Sequence, residues 1–540
     1  MAACLAASPG SLLAAKPSNK RPGQYKRVHQ KALKQVLGGE AAAAIKQLRQ
    51  FEQAHGHDAE TKFMLALALA REGQVADARV SADRAVELGL PIGRLVAGPQ
   101  PLLDPIAEHV RRRLTDHQDR FAAAVVHGPM LGRVTHDSAG IWLRVVPGTR
   151  VRIQVFESGG RAAGQGLGDA RSVSEWTEPK QDTDHTTVLT VGGLKPDQRY
   201  LYRVQFKVAG EAEGHGGTHG LRTSPASGAA SAFRIAFGGG AGYVPHNERV
   251  WNTITAQRPQ ALVLLGDNVY SDDPTSTAMQ QYCYYRRQSR PEWATLVAST
   301  PVYAIWDDHD FGTNDCIGGV AIDEPKWKPA VWRTFRQNWV NPAYGGGEKQ
   351  PGVWFDTYRG DVHLIFLDGR CYRTSQKHQP RPSMLGPAQM AWLKRTLAGS
   401  KGTFKVLCSP VPWTFKAKGS SKDTWNGFRE ERGEIFDLIR DKRVEGVVLM
   451  SADRHRSDAW RIKHPGLYDL YEFNSSRLTN QHVHGTMKEA IFSYNKKQSF
   501  GLVDFDTTAT DPSATYRVVT IDGERVHRLV VRRSQLRQPG

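Results

Sequence analysis

Cysteine is scarce in this chain. The five present, Cys4, Cys283, Cys316, Cys371 and Cys408, are odd in number and form no CxxC pair. Neither a dense disulfide framework nor a zinc ribbon is therefore indicated. Long apolar runs are missing too: none approaches the roughly 20 residues that cross a bilayer, which argues against an integral membrane protein. There is no long Lys/Arg run and no arginine-aromatic alternation, so dedicated nucleic-acid binding is not indicated. Acidic residues are in deficit, 54 against 72 Lys and Arg, giving a formal charge of +18. That imbalance favours encounter with phosphate esters, nucleic acid or anionic lipid without choosing among them. What is present is ordinary globular material, 540 residues of which 40% are hydrophobic and 23% charged, enough for several buried cores.

Three patterns follow one another. Between Glu40 and about Leu88, Ile45, Leu48 and Phe51 share a helical face, then Phe63, Leu67 and Ala70, with a break at Gly73. This predicts a helical hairpin with one more helix, similar to a tetratricopeptide unit. A single repeat rarely stands alone, so a helical cap on a neighbouring domain and a protein-binding module are both open. Between Val126 and Thr223 short alternating segments, Ile141–Val145, Val151–Phe156, Thr187–Val191 and Tyr200–Val208, predict a β-sandwich. The run from Gly193 to Tyr202 resembles the tyrosine corner of fibronectin type III domains, with Tyr200 and Tyr202 as candidates. The Gly, Ser and Ala-rich stretch from Gly214 to Ala232 reads as a linker. Beyond Phe233 apolar strands alternate with helical stretches, as in a sheet covered on both faces. The final segments Gly501–Asp506, Ala514–Ile521 and Arg525–Arg532 are expected to add edge strands or a closing hairpin. The resulting division is 1–27 disordered or targeting, 28–122 helical, 123–226 sandwich and 227–540 catalytic.

The chemistry concentrates after four apolar runs. Ala261–Leu265 leads into Gly266-Asp267, Pro301–Trp306 into Asp307-Asp308-His309, Val362–Leu367 into Asp368, and Gly446–Ser451 into Ala452-Asp453-Arg454-His455. Ligands bind at the carboxyl ends of strands in α/β sheets, so these side chains are expected on one rim. Clustered carboxylates repel unless cations relieve them, and oxygen with imidazole suits Mn, Fe, Zn, Mg or Ca. Asp368 with Arg370 also reads as a structural ion pair. Arg286, Arg287 and Arg290 face either a substrate or nearby carboxylates.

The segments Gly266-Asp267-Asn268-Val269-Tyr270, Trp306-Asp307-Asp308-His309-Asp310, Met384-Leu385-Gly386-Pro387-Ala388-Gln389 with Trp392-Leu393, and Asp453-Arg454-His455 resemble the motifs of PhoD-like alkaline phosphatases, within the calcineurin-like metallophosphoesterase superfamily. The resemblance runs from about Val126 to Arg532. It implies a four-layer α/β/β/α domain behind a fibronectin-III-like sandwich. It also implies hydrolysis of phosphomonoesters, phosphodiesters or both by metal-activated water at a centre of two or more metals, divalent or trivalent, drawn from Fe, Ca, Mn and Zn. By motif, Asp267, Tyr270, Asp308, Asn314, Asp453 and His455 become metal ligands. His309 becomes a leaving-group acid or an anchor behind the ligands, and Arg454 and Arg456 become either phosphate clamps or members of surface ion pairs. The implied partners are a phosphate-ester substrate, a polyanionic one included, with protein contact through the N-terminal helices a further option. Family habit implies export to the periplasm or outside the cell, cytoplasmic location being the alternative. The start, Met1–Ala15, with Leu5, Leu12 and Leu13 among alanines, is compatible with export although it contains Pro9 and Gly10 and lacks a basic n-region.

One departure stands out. The family's first strand usually ends in an iron-binding cysteine, and the matching position here is Gly240, in Phe237-Gly238-Gly239-Gly240. Lost thiolate ligation predicts weaker iron retention, activity on a harder metal, and space for water or a substrate oxygen beside the glycines. Cys316 reads as a free buried thiol rather than a replacement ligand. The alternative is a non-catalytic binding or scaffold protein with a degenerate metal site.

Overall fold

A computed structural model describes residues 25–98, 100–116, 120–159, 167–375 and 378–539; the Met1–Ala15 segment and Cys4 lie outside them. The described residues begin with four helices, α1 (Tyr25–Leu37), α2 (Ala41–His55), α3 (Ala59–Arg71) and α4 (Val75–Glu87). Asp58 caps α3 by accepting from the backbone N–H groups of Glu60 and Thr61 at 3.0 and 3.1 Å. Gly73, at φ +77°, turns the chain into α4. α3 is apolar on nearly every side, with Phe63 to Ala70 all buried, so it can only be the central helix of this group. Its Glu60 forms a two-pronged buried ion pair with Arg94, at 2.6 and 2.8 Å.

A three-stranded sheet (Val125–Gly132, Ala139–Val145, Thr186–Val191) and a four-stranded sheet (Ser172–Val173, Thr149–Glu157, Arg199–Val208, Gly214–Arg222) share one core. Period-two alternation places Val151, Ile153 and Val155 inside it. The Tyr200 hydroxyl accepts from the Lys195 N–H at 2.8 Å, whereas the Tyr202 hydroxyl leaves the sandwich to reach the Ala298 carbonyl. The linker expectation fails in part: Gly214–Arg222 is a strand paired with Arg199–Val208. Its glycines are packing residues, because a Cβ at Gly214 would strike the Phe206 ring at 2.5 Å and one at Gly216 the Phe121 ring at 2.7 Å.

The remaining strands form two larger sheets in a mixed α/β unit. One has the order Val302–Ile305, Ala261–Leu265, Ala232–Gly238, Ser499–Asp506, Ser513–Thr520, Arg525–Arg532. Ser499–Asp506 is therefore interior rather than an edge, and Arg525–Arg532 takes the edge. The other has the order Phe355–Arg359, Val362–Phe366, Phe404–Cys408, Val447–Ser451, Leu470–Ser475, Ser457–Ile462, Phe492–Tyr494. Aromatic pairs join the facing sheets: Phe473 on Tyr516 at 4.6 Å, Phe404 on Phe505 at 5.7 Å and Tyr303 on Phe366 at 6.0 Å. Parallel pairing aligns the carboxyl ends of Ala232–Gly238, Ala261–Leu265 and Val302–Ile305 at one rim. Among the described residues no helix is long and apolar enough to cross a membrane.

Candidate metal centre

Beyond Leu265 the chain turns through Gly266 at φ +100°, where a Cβ would meet Asp307 Cβ at 2.5 Å. Asp267 follows in the left-handed region at φ +54°. The strained turn throws its carboxylate into the rim. Tyr270 donates to Asp267 Oδ2 at 2.9 Å and accepts from Asn480 Nδ2 at 2.6 Å. Asp267 Oδ1 is buried without a hydrogen-bond partner among the described residues. After the next strand Asp307 caps a short helix, Asp308–Phe311. Asp310 stitches the two loops by accepting from the N–H groups of Val269 at 2.8 Å and of Asn268 and Asp307 at 3.2 Å. Asp308 accepts from the Asp315 N–H at 2.7 Å, and His309 holds Asp272 through Nδ1 while its ring lies 4.3 Å from that of Tyr270.

The second sheet contributes Asp453 at φ +65° and His455 at φ +46°, a pair of left-handed non-glycine residues flanking Arg454. Asp453 lies 3.4 Å from Arg454 and 3.6 Å from Lys418. His455 Nδ1 is buried with no partner among the described residues. A cavity of about 930 Å³ is lined by Asp267, Tyr270, Asp308, His309 and Asn314 from the first side and Asp453, Arg454 and His455 from the second. Donor atoms of Asp267, Asp308 and His309 lie within 4.8 Å of one another, and those of Asp308, Asp315 and Asp423 make a second such group.

Burial pushes the Asp267 carboxyl up to about 8, with Asp308, Asp310 and Asp453 adding repulsion against the pull of His309. Burial also opposes charging of His309, but Asp267, Asp272 and Asp308 overcome it and raise the imidazole to about 10. Asp308 is held below the usual carboxylate range by Arg370 and His309 despite its burial. Burial lowers His455 well below the ordinary imidazole value, with His484, His482, His309 and Arg454 acting the same way. A neutral imidazole and unpartnered carboxylate oxygens are the donors a cation takes.

Several sequence candidates lie elsewhere. Asp307 is bound by buried Arg370 at 2.5 Å, and Arg370 also grips Asp423 at 2.7 and 3.0 Å. Part of the acidic crevice is thereby neutralised by the protein itself. Asp368 accepts from the Trp306 indole at 2.8 Å and from the N–H groups of Arg370, Cys371 and Val353, so it is a loop anchor and no ion pair with Arg370 forms. Arg456 is consumed by Asp458 and the Ala417 carbonyl. Arg287 pairs with Glu248, Arg290 with Glu292, and Arg286 stacks on Tyr243 and Tyr282. Cys316 does not line the cavity; its sulfur fills the place a Cβ on Gly312 would need.

The expected opening beside Gly240 is filled. The glycine sits at φ +69°, and a Cβ there would meet the Arg477 backbone nitrogen at 3.0 Å and His455 Nδ1 at 3.4 Å. Gly239 and Gly240 accept four N–H groups from Arg477 to Asn480. This close passage of two backbones delivers Asn480 to Tyr270. Cavity residues that sequence reasoning missed include Asp315, Lys418, Asn480, His482 and His484. Only the His482-Val483-His484 spacing offered a signal, with its two Nε2 atoms 3.1 Å apart.

The chain is similar to alkaline phosphatase D of Bacillus subtilis (strain 168), with 24% identity over 353 residues, 57% of this chain and 58% of that protein. The match thus spans less than two thirds of that relative. Its fold is similar to the structure of PhoD, at 17% identity, a TM-score of 0.62 and coverage of 77% of this chain and 91% of that one. It is also similar to the purple acid phosphatase PPD1 from yellow lupin (Lupinus luteus) seeds, at 11% identity, a TM-score of 0.54 and coverage of 75% and 74%. A model of a domain of unknown function (DUF7800) matches residues 122–212. The PhoD-like phosphatase model matches residues 235–518, more than half of the sequence and every strand that delivers a residue to the cavity, and the chain belongs to that family.

Proposed function

We propose that this chain hydrolyses phosphate esters at a metal centre held by Asp267, Tyr270, Asp308, Asn314, Asp453 and His455. The observation that carries the reading is the convergence of Asp267, Asp308 and His309 within 4.8 Å, with an unpartnered buried oxygen on Asp267. Bound metal would neutralise phosphate oxygens and make water a stronger nucleophile. His309, its Nδ1 fixed on Asp272, is left with Nε2 to give a proton to the ester oxygen as the P–O bond breaks, releasing an alcohol. Arg454 spends its Nε on the Ala417 carbonyl and one Nη1 contact on Asp453, which leaves donors for phosphate oxygens. The fibronectin-III-like reading of residues 123–226 rests on the Tyr200 bond to Lys195, and the four-layer reading of 227–540 on its two facing sheets. Export is proposed from the family resemblance, with which the composition of Met1–Ala15 is compatible, and the mass of the mature N-terminus tests it.

The activity test uses metal-stripped protein reconstituted separately with iron, calcium, manganese and zinc, assayed on a chromogenic monoester and diester. Turnover restored by metal and reduced at least about a hundredfold in Asp267→Asn is expected. No turnover with any metal, from folded protein, would leave the fold with a binding role only.

A further inference from the structure

Both family matches begin at residue 122 or later, yet α1 is built into the rim of the cavity. Buried Gln30 donates from Nε2 to the Tyr270 carbonyl and, at 3.1 Å, to the Ser271 carbonyl. One turn on, Lys34 pairs with Asp273 at 2.9 Å. His29 bonds Thr61 at 2.8 Å and packs against Tyr243 at 6.1 Å. Two successive turns of α1 therefore hold the loop that carries Tyr270, since residues four apart share a helix face. Arg27, three residues before Gln30, belongs to the same face and lines the cavity.

Arg27 is exposed and has no carboxylate partner among the described residues. The cavity it faces, about 930 Å³, is the size of a site for a whole organic ligand, well beyond one phosphate group. Arg477, Gln481 and Gln498 stand in the same lining, and among the described residues no aliphatic side chain does. Such walls suit a hydrophilic, anionic alcohol portion, and a guanidinium is the side chain that grips an oxyanion with paired donors.

The geometry points to α1 as a wall of the substrate site, with Arg27 binding a second anionic group, a phosphate or carboxylate, on the alcohol portion of the ester. This rests on the phosphoesterase reading. It makes Arg27 a specificity residue contributed by a segment outside the family domain. Its contribution falls on the ground state and the transition state alike, so it is read in KM more than in kcat.

The test uses full-length protein loaded with the metal that gives turnover, and alkyl phosphates of graded length ending in either a phosphonate or a methyl group. At one spacer length the wild type is expected to show a KM about tenfold lower for the phosphonate-ended ester. Arg27→Ala is expected to bring that ratio to about one, Arg27→Lys to retain part of it, and Arg27→Glu to reverse it. A ratio that survives in Arg27→Ala, or no preference at any length in the wild type, overturns the assignment and leaves the phosphoesterase reading standing. Failure of folded wild-type protein to turn over either series overturns both.

Discussion

Gly240 is where the sequence pattern and the geometry of this protein meet most sharply. Its φ of +69° and the Arg477 nitrogen 3.0 Å from the Cβ position make any side chain strained there. Gly240→Ala is expected to cost about 1–3 kcal/mol in denaturant unfolding, and Gly240→Cys to bind no more iron than the wild type by elemental analysis. A cysteine variant with wild-type stability and a gain of stoichiometric iron would show that the loop can yield. At this scale the acids that follow apolar strands were legible, because strand ends converge whatever the loops do. The neutralising partners were not. Arg370 is 63 residues from Asp307 and Asn480 is 210 from Tyr270, and only the folded paths of the intervening chain bring them together.

At the level of elements, periodicity revealed α2 and α3 because their apolar faces repeat at helical spacing, but composition misread Gly214–Arg222. Composition cannot distinguish glycines that loosen a chain from glycines that admit the rings of Phe206 and Phe121. The helical segment also carries a dependence on acid. Burial lowers His29 from 6.5 to about 4, so its neutral form is favoured in the folded state and stability falls as pH drops from 6.5 towards 4. Although burial opposes it, Arg94 depresses Glu60 from 4.5 to about 2, so the stability this pair gives is present above 4.5 and lost as pH falls towards 2. Each group accounts for on the order of 3 kcal/mol across its window. Circular dichroism of denaturant unfolding against pH is expected to show a loss that begins near 6.5 and continues below 4.5. His29→Gln should flatten the upper part. Glu60→Gln should flatten the lower part while destabilising the neutral protein by about 3–5 kcal/mol, since it strands a buried arginine. Identical pH profiles for wild type and variants would remove both groups from the account.

For the whole molecule the decisive contacts cross between the sandwich and the large sheets. Trp142 donates to the Gln337 carbonyl at 2.8 Å, and Trp142 and Met130 belong to the same apolar core as the strands that carry the site. Arg144, fully buried, binds Asn338 at 2.8 Å and Gln288 on the side of the large sheets, and Asp184 at 2.9 Å and His127 at 3.0 Å on the sandwich side. Its guanidinium also lies 4.1 Å from the Tyr285 ring. A sandwich joined by a tether would melt on its own, but one whose core is continuous with its neighbour cannot unfold without exposing the neighbour's apolar surface. Calorimetry is therefore expected to show one transition for residues 123–540. Arg144→Ala, which leaves Gln288 Oε1 buried without its donor and takes one donor each from Asn338 and the half-buried Asp184, should lower it by about 3–5 kcal/mol as a single unit. If the variant instead splits the transition and only the sandwich component moves, the two parts are coupled more weakly than this shared core requires. The sandwich would then act as a separable neighbour, and its family match at residues 122–212 would describe an independent unit.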